Sequence, residues 1–438
     1  MAENAFRAPR GTRDRFPEDL VLLRHLERTA RRLARNYGYG EIRPPLFEET
    51  RLFTRSLGEA SDVVEKEMFT VARRGEGEEE GAGWTFRPEG TAGVARAYVQ
   101  GGFAARAPLQ KWFYLGPMFR YERPQKGRER QFTQFGVEAF GSASPLLDAE
   151  VVDLCVRFFQ ALGLGEALEV RVNTMGDPAD RERWRRALRA FFEPRLGGRC
   201  ADCRSRFERN VFRLLDCKVE ACRRDNESAP ALREHLGEES AGHHRRFLEA
   251  LQVLGLRAEE DPGIVRGLDY YTRSVFEVHY PPLGARSALC GGGRYDGLVE
   301  EVGGPPTPGV GFAIGFTPLE LALQELGLPP QEDLRDLQEE LRPQVYVVAI
   351  TGGERLPALR LASRLRAGEG LRTALDAREK SPRAQFKEAG RSGARFAVVL
   401  GPEEHAACRA VVRDLQGGEE VPVGLEALGS WLRERLGA

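Results

Sequence analysis

Between positions 18 and 37 the apolar residues Leu23, Leu26, Ala30, Leu33 and Tyr37 recur every three or four places, with arginines between them. That spacing lays one apolar stripe along a helix. "GYGEIRPPLFEE" ends it: glycine stops a helix, and the Pro44-Pro45 pair favours an extended edge segment. "EMFTVA" and "WTFRPEG" then read as antiparallel strands around the low-complexity loop "GEGEEEGAG". "KWFYLGPMFRYER" and "RQFTQFGVEAFG" predict two more, with "PQKGRE" in their hairpin loop. Residues 148–162 are predicted helical and "ALEVRVNT" a strand.

The pattern changes at 178–256, which is rich in Arg, Glu and Cys with helical periodicity. Strand-and-turn chemistry returns in "IVRGLDYYTRSVFEVHY" and "SALCGGGRYDGLV". The expected fold class is α+β. An antiparallel-sheet core in two parts, 1–177 and 257–326, is interrupted by a helical insertion at 178–256. A Pro- and charge-rich linker, 327–343, leads to residues 344–438, where strands alternate with helices. That alternation predicts a separate α/β domain with a largely parallel sheet.

Composition narrows the partners. Of 438 residues, 65 are Lys or Arg and 66 Asp or Glu, a net charge of -1. A near-neutral chain has no general attraction to polyanions, so any such partner must meet local basic patches. The start shows no apolar run of signal-peptide length, and "VYVVAI" and "FAVVL" are too short to span a bilayer. With seven cysteines, an odd number, the expectation is a reduced cytoplasmic setting without a disulfide framework.

Residues 119–138, "FRYERPQKGRERQFTQFGVE", carry five basic residues against three acidic ones. Strand alternation puts Gln134, Gly136 and Glu138 on one face. Arg120 can grip a phosphate bidentately, and Glu138 can accept from an amine or imidazole N–H. A solvated charged hairpin is the alternative. In "RPEGT", Glu89, Gly90 and Thr91 can cup an ammonium; the alternative is a helix capped by Thr91. "IVRGLDYYTRSVFEVHY" adds Arg266, a second fork, and the phenols Tyr270 and Tyr271. "CGGGRYDG" adds Tyr295, and its glycines admit either a flat ligand or a bulge.

Together these stretches resemble class II aminoacyl-tRNA synthetases, in the form used by bacterial histidyl-tRNA synthetases. "FRYERPQKGRERQFTQFGVE" is similar to the second class motif, and "GYGEIRPPLFEE" to the first. "VRGLDYYTRSVFE" and "GGGRYDGL" resemble the two histidine motifs, and "QFKEAGRSGARFAVVLGPEE" the C-terminal anticodon-binding domain. The resemblance implies a class II catalytic core, attachment of histidine to histidine tRNA through a histidyl-adenylate, ATP with Mg2+, and a homodimer with no membrane partner. It implies that Arg120 and Arg266 flank the α-phosphate. Glu89, Gly90, Thr91 and Gln134 would surround the amino group, and Glu138 and Tyr271 the imidazole nitrogens. Tyr270 and Tyr295 would line the pocket. Arg123 and Gln125 would meet the tRNA acceptor end.

One motif departs. In "GVGFAIGFTPLELAL", Thr317 and Pro318 stand where the third class motif has Glu and Arg, and that arginine grips the γ-phosphate. Proline holds no phosphate, so efficient activation is in question. The departure keeps open a histidine-binding regulatory paralogue, of the ATP phosphoribosyltransferase regulatory subunit type, or an inactive tRNA-binding one.

Two further clusters stand out. Lys380, Arg383, Lys387 and Arg391 are expected on one face of a helix at 380–392, either solvated or facing the anticodon arm. Cys200, Cys203, Cys217 and Cys222 form C-x2-C-x13-C-x4-C, a candidate structural zinc site; reduced cysteines in a helical insert are the alternative. His243 and His244 read as surface residues.

Overall fold

The computed structural model describes residues 6–57, 63–72, 83–123, 127–165, 167–215, 217–264 and 270–437. These form two compact units. One takes the residues up to Asp14 and Leu22–Pro329; the other takes Arg15–Val21 and Pro330–Ala438.

In chain order, the strands of the first unit are β1 (Gly40–Glu41), β2 (Phe47–Glu49), β3 (Phe69–Ala72), β4 (Gly83–Phe86), β5 (Gln110–Phe119) and β6 (Gln131–Phe140). They continue with β7 (Glu169–Thr174), β8 (Ala258–Glu260), β9 (Thr272–His279), β10 (Ala288–Arg294) and β11 (Gly309–Gly315). Among the described residues, eight strands make one sheet in the order β1-β5-β6-β11-β10-β9-β7-β8. Its pairs are antiparallel except β1 with β5 and β7 with β8. β1 comes just before the edge segment expected at the Pro44-Pro45 pair, which itself joins β1 to β2 without being part of a strand. A smaller sheet, β2-β4-β3, holds the "EMFTVA" and "WTFRPEG" pair.

Helix Pro145–Ala161 begins where Ser144 accepts from the Leu146 amide, with Pro145 in the first turn. It buries Val151, Val152, Phe158 and Phe159. Residues 178–256 are helical through Glu238–Val253, and Asp177 opens the run by a reciprocal cap with Asp180. The insertion builds its own cluster around Trp184, Leu188, Phe192, Phe207 and Leu214. Arg294 is fully buried, donating to Asp148, to the Ser142 carbonyl at 2.9 Å and to Asp296 at 3.0 Å. His243, expected at the surface, is instead buried, its Nε2 2.9 Å from Asp148 and 3.2 Å from Ser274 Oγ. Sequence spacing could not show the buried carboxylate waiting for it. The three glycines of β10 lie in a strand, with the register shift at Gly293/Arg294 that the bulge reading foresaw.

In the second unit, β12 (Val345–Ala349), β13 (Thr373–Leu375) and β14 (Phe396–Leu400) pair in parallel. β15 (Arg409–Asp414) and β16 (Glu420–Gly424) extend the sheet antiparallel, so it is more mixed than expected. Every residue of β12 is buried. Val345 and Val347 pack with Leu361 and Leu365, while Tyr346 and Val348 pack with Ala389, so helices cover both faces. A ten-residue helix, Gln331–Glu340, occupies most of the stretch expected to be a linker. Leu334 and Leu337 pack with Val21 and Leu341, which gives its charged sequence an apolar stripe to bury.

Candidate functional site

β6 supplies the floor of the site. Gln134 and Glu138 are buried two positions either side of Gly136, on one face of the strand as alternation requires. Gly136 pairs with Tyr114 on β5, and the Tyr114 hydroxyl lies 3.3 Å from Gln134 Oε1. A Cβ on either Gly136 or Gly90 would overlap the Tyr114 ring. Both glycines are therefore the space into which this phenol fits, a constraint that the motif alone did not show.

Glu89 and Thr91 hold the next layer. The helix Thr91–Gln100 starts one residue earlier than a Thr91 cap would require, and Gly90 in the cap position offers no side chain. The Glu89 carboxylate caps it instead, accepting from the amides of Thr91 at 2.6 Å and Ala92 at 2.9 Å. This frees the Thr91 hydroxyl, which donates to Glu138 Oε1 at 2.7 Å. The Tyr295 hydroxyl donates to the other oxygen of Glu138. Arg87, also missed in the sequence, fixes the entry to this turn by donating to the carbonyls of Pro117 and Pro44, each at 2.9 Å.

Burial dominates the electrostatics. It pushes the Glu138 carboxyl well above the usual carboxylate range, helped by the nearby Glu89 and opposed by Tyr295 and Thr91. Burial also raises Glu89, against the two backbone amides and the charge of Arg120. It raises the phenols of Tyr114, Tyr270 and Tyr295 well above their ordinary value. Tyr270 packs on Tyr271 with ring centroids 4.7 Å apart and on Tyr295 at 5.7 Å. The result is a buried cluster of two carboxyl groups and several phenols, a lining suited to a small ligand that brings N–H donors or positive charge.

Arg120 borders this cluster. Its Nε donates to the Pro88 carbonyl at 2.8 Å, and its guanidinium lies 5.5 Å from the centroid of Phe132. The partner expected opposite it, Arg266, lies outside the described residues, as does Gln125. Arg123 is exposed at the start of the hairpin loop.

Around the departed third motif, the Thr317 hydroxyl donates to Glu129 Oε2 at 3.0 Å, and Pro318 is exposed in the first turn of helix Phe316–Leu326. Glu129 also pairs with Arg13 at 2.8 Å, and Arg13 lies 3.6 Å from Glu320. Arg13 is thus a guanidinium beside this motif that sequence reading passed over; only "RGTRD" near the start marked it. It is already shared between two carboxylates.

Arg383, Lys387 and Arg391 are exposed along helix Pro382–Ser392. Lys380 does not belong to that face: it precedes the helix, and its amine donates to Glu388 at 3.3 Å. Proline at the first helical position sets this boundary. The four insertion cysteines converge, with all four sulfurs within 4.8 Å of one another. His244 is half-buried and bonds Glu260 at 3.0 Å.

Comparison with known proteins bears on these arrangements. A family model described as histidyl-tRNA synthetase matches residues 11–176 and 201–319, and one described as an anticodon binding domain matches 344–435. A histidine–tRNA ligase of Moorella thermoacetica is 47% identical over 427 residues, covering 97% of each chain. Another, of Fervidobacterium nodosum, is 43% identical over 414 residues, covering 94% of each. The solved apo histidyl-tRNA synthetase of S. aureus superposes with a TM-score of 0.79 at 34% identity, over 98% of this chain and all of that one.

Proposed function

The chain belongs to the histidyl-tRNA synthetase family, and from that premise we propose that it attaches histidine to histidine tRNA at the expense of ATP. Histidine carboxylate attacks the α-phosphorus in line and pyrophosphate leaves; the 3′ end of the tRNA then attacks the adenylate. Such chemistry needs positioning and neutralisation of phosphate charge more than covalent help.

In this reading Glu138 accepts from one imidazole nitrogen and Tyr271 meets the other. Glu89, Thr91 and Gln134, with Gly90 giving room, surround the amino group. Tyr270 and Tyr295 wall the ring. The observation that carries the assignment is the buried Thr91–Glu138–Tyr295 cluster. A buried carboxyl here favours a side chain that brings N–H donors over an apolar one, which offers nothing to its remaining lone pairs. The ammonium of histidine adds positive charge beside buried Glu89, where Arg120 already contributes some. Arg120 and Arg266 take the α-phosphate from two sides, and ATP enters as its magnesium complex.

Arg123 and Gln125 contact the acceptor end. The exposed row Arg383, Lys387 and Arg391 faces the anticodon arm. A second copy of the chain is the further partner: Leu46, Phe47 and Trp84 are exposed apolar side chains at the small sheet, with the Phe47 and Trp84 rings 5.4 Å apart. The insertion cysteines take a structural Zn2+. The regulatory reading is not favoured, because relatives aligned over nearly the whole chain are histidine–tRNA ligases. No helix among the described residues is long and apolar enough to cross a membrane. Histidine-dependent exchange of pyrophosphate into ATP tests the proposal.

A further inference from the structure

We infer that Cys200, Cys203, Cys217 and Cys222 are a tetrathiolate zinc site that clamps residues 199–236 into a folded unit, independently of the adenylation site. This deepens the zinc reading given above and rests on it.

The four sulfurs lie close enough together to share one ion. Zinc–thiolate bonds of about 2.3 Å put sulfurs roughly 3.8 Å apart. Here all four lie within 4.8 Å, and Cys200 and Cys217 are 3.7 Å apart. None is in a disulfide. The sulfurs come from separate elements. Cys200 caps helix Ala201–Arg209 and Cys203 lies within it; Cys217 follows the turn Val211–Leu214; Cys222 sits in helix Glu220–Asn226. The Cys203 amide donates to Cys200 Sγ and the Cys200 amide to Cys222 Sγ, each at 3.4 Å. Such N–H donors suit sulfurs that carry negative charge. Four thiolates around a divalent cation leave an excess of two negative charges. Buried Arg199 stands next to them, its Nη2 3.9 Å from Cys203 Sγ, anchored on Asp225 at 2.5 Å and Asn226 at 2.6 Å.

Beyond the small cluster around Trp184, Phe192, Phe207 and Leu214, a cross-link would add to what holds the local structure. The helices here run nine, four, seven and four residues. Helices that short do not persist alone in water. Metal binding would displace the four thiol protons to solvent and convert ligation energy into folding energy.

Full-length protein, expressed with zinc and purified without chelator, should carry about one zinc per chain by metal analysis. Cobalt in its place should give the intense visible bands of a tetrahedral thiolate complex. Chelation should open residues 199–236 to limited proteolysis, while histidine-dependent pyrophosphate exchange persists. Cys217→Ser with Cys222→Ser should lose the metal. Zinc-free protein with unchanged protease resistance, or disulfides among these cysteines in protein kept reduced, overturns the inference. Bound zinc without exchange activity would defeat the ligase reading alone. Exchange by protein that held no zinc as purified, before any chelation, would defeat only the metal site.

Discussion

Thr91 and Glu138 meet across 47 positions of sequence, the threonine hydroxyl 2.7 Å from the carboxylate and both side chains buried. One residue opens a helix and the other sits in the middle of the sheet, so their contact fixes the helix end against β6. It also opposes the burial that dominates how Glu138 titrates in the unliganded site. Burial holds Glu138 above the carboxylate range, so the folded chain keeps a proton that the unfolded chain gives up near pH 4.3. Stability from this group is full below that pH and declines as pH rises toward the raised value. Glu138→Gln should remove that decline, leaving the free protein at least as stable at pH 8 by urea unfolding. The same variant should lose about 1.5–3 kcal/mol of histidine recognition, roughly 10- to 150-fold in kcat/KM for histidine.

Gly311 pairs with Glu138, and a Cβ there would overlap the carboxylate and the Val137 carbonyl. Gly311→Ala should destabilise by about 1–3 kcal/mol through overpacking and raise KM for histidine, measured by denaturation and steady-state kinetics.

Asp148 behaves in the opposite sense to Glu138. Despite burial, hydrogen bonds and charge from His243 and Arg294 hold its carboxyl below the usual range. Its contribution is present above the unfolded pKa and lost as pH falls through the folded one. Asp148→Asn removes the buried one of the two carboxylates on Arg294, leaving Asp296 at 3.0 Å, and should cost about 3 kcal/mol at pH 7. The wild-type advantage should shrink in acid, read from unfolding midpoints across pH.

Arg120 is tethered through Nε to the Pro88 carbonyl, at the border of the buried cluster. Arg120→Met should lower exchange by about 10²- to 10³-fold, in kcat more than in KM for histidine, because charge develops at the phosphate and not at the imidazole. Unfolding midpoints should move little.

The sequence made some of this legible and hid the rest for physical reasons. Alternation on β6 put Gln134 and Glu138 on one face, and the helix periodicity near the start matches Leu20–Asn36. The spacing of Cys200 and Cys203 foreshadowed their convergence with Cys217 and Cys222. Periodicity reports only local geometry. The Arg294–Asp148 pair spans 146 positions, and nothing local distinguishes that arginine from a ligand-binding one. Tyr114 looked like an ordinary strand aromatic until Gly90 and Gly136 were seen to clear space for it. Prolines and charges make the stretch that holds helix Gln331–Glu340 resemble a linker; the apolar partner that lets its leucines pack, Val21, comes from far away in the sequence.

Pro318 puts the sharpest question to the account, since it removes a guanidinium from the phosphate end of the site. Pyrophosphate exchange into ATP, with and without histidine, for wild type and for Pro318→Arg, answers it directly. The account predicts slow wild-type exchange that vanishes without histidine, and a rise of about tenfold or more in kcat/KM for ATP in Pro318→Arg, where a charge-assisted phosphate contact is restored. Histidine binding without any exchange in either protein would contradict it.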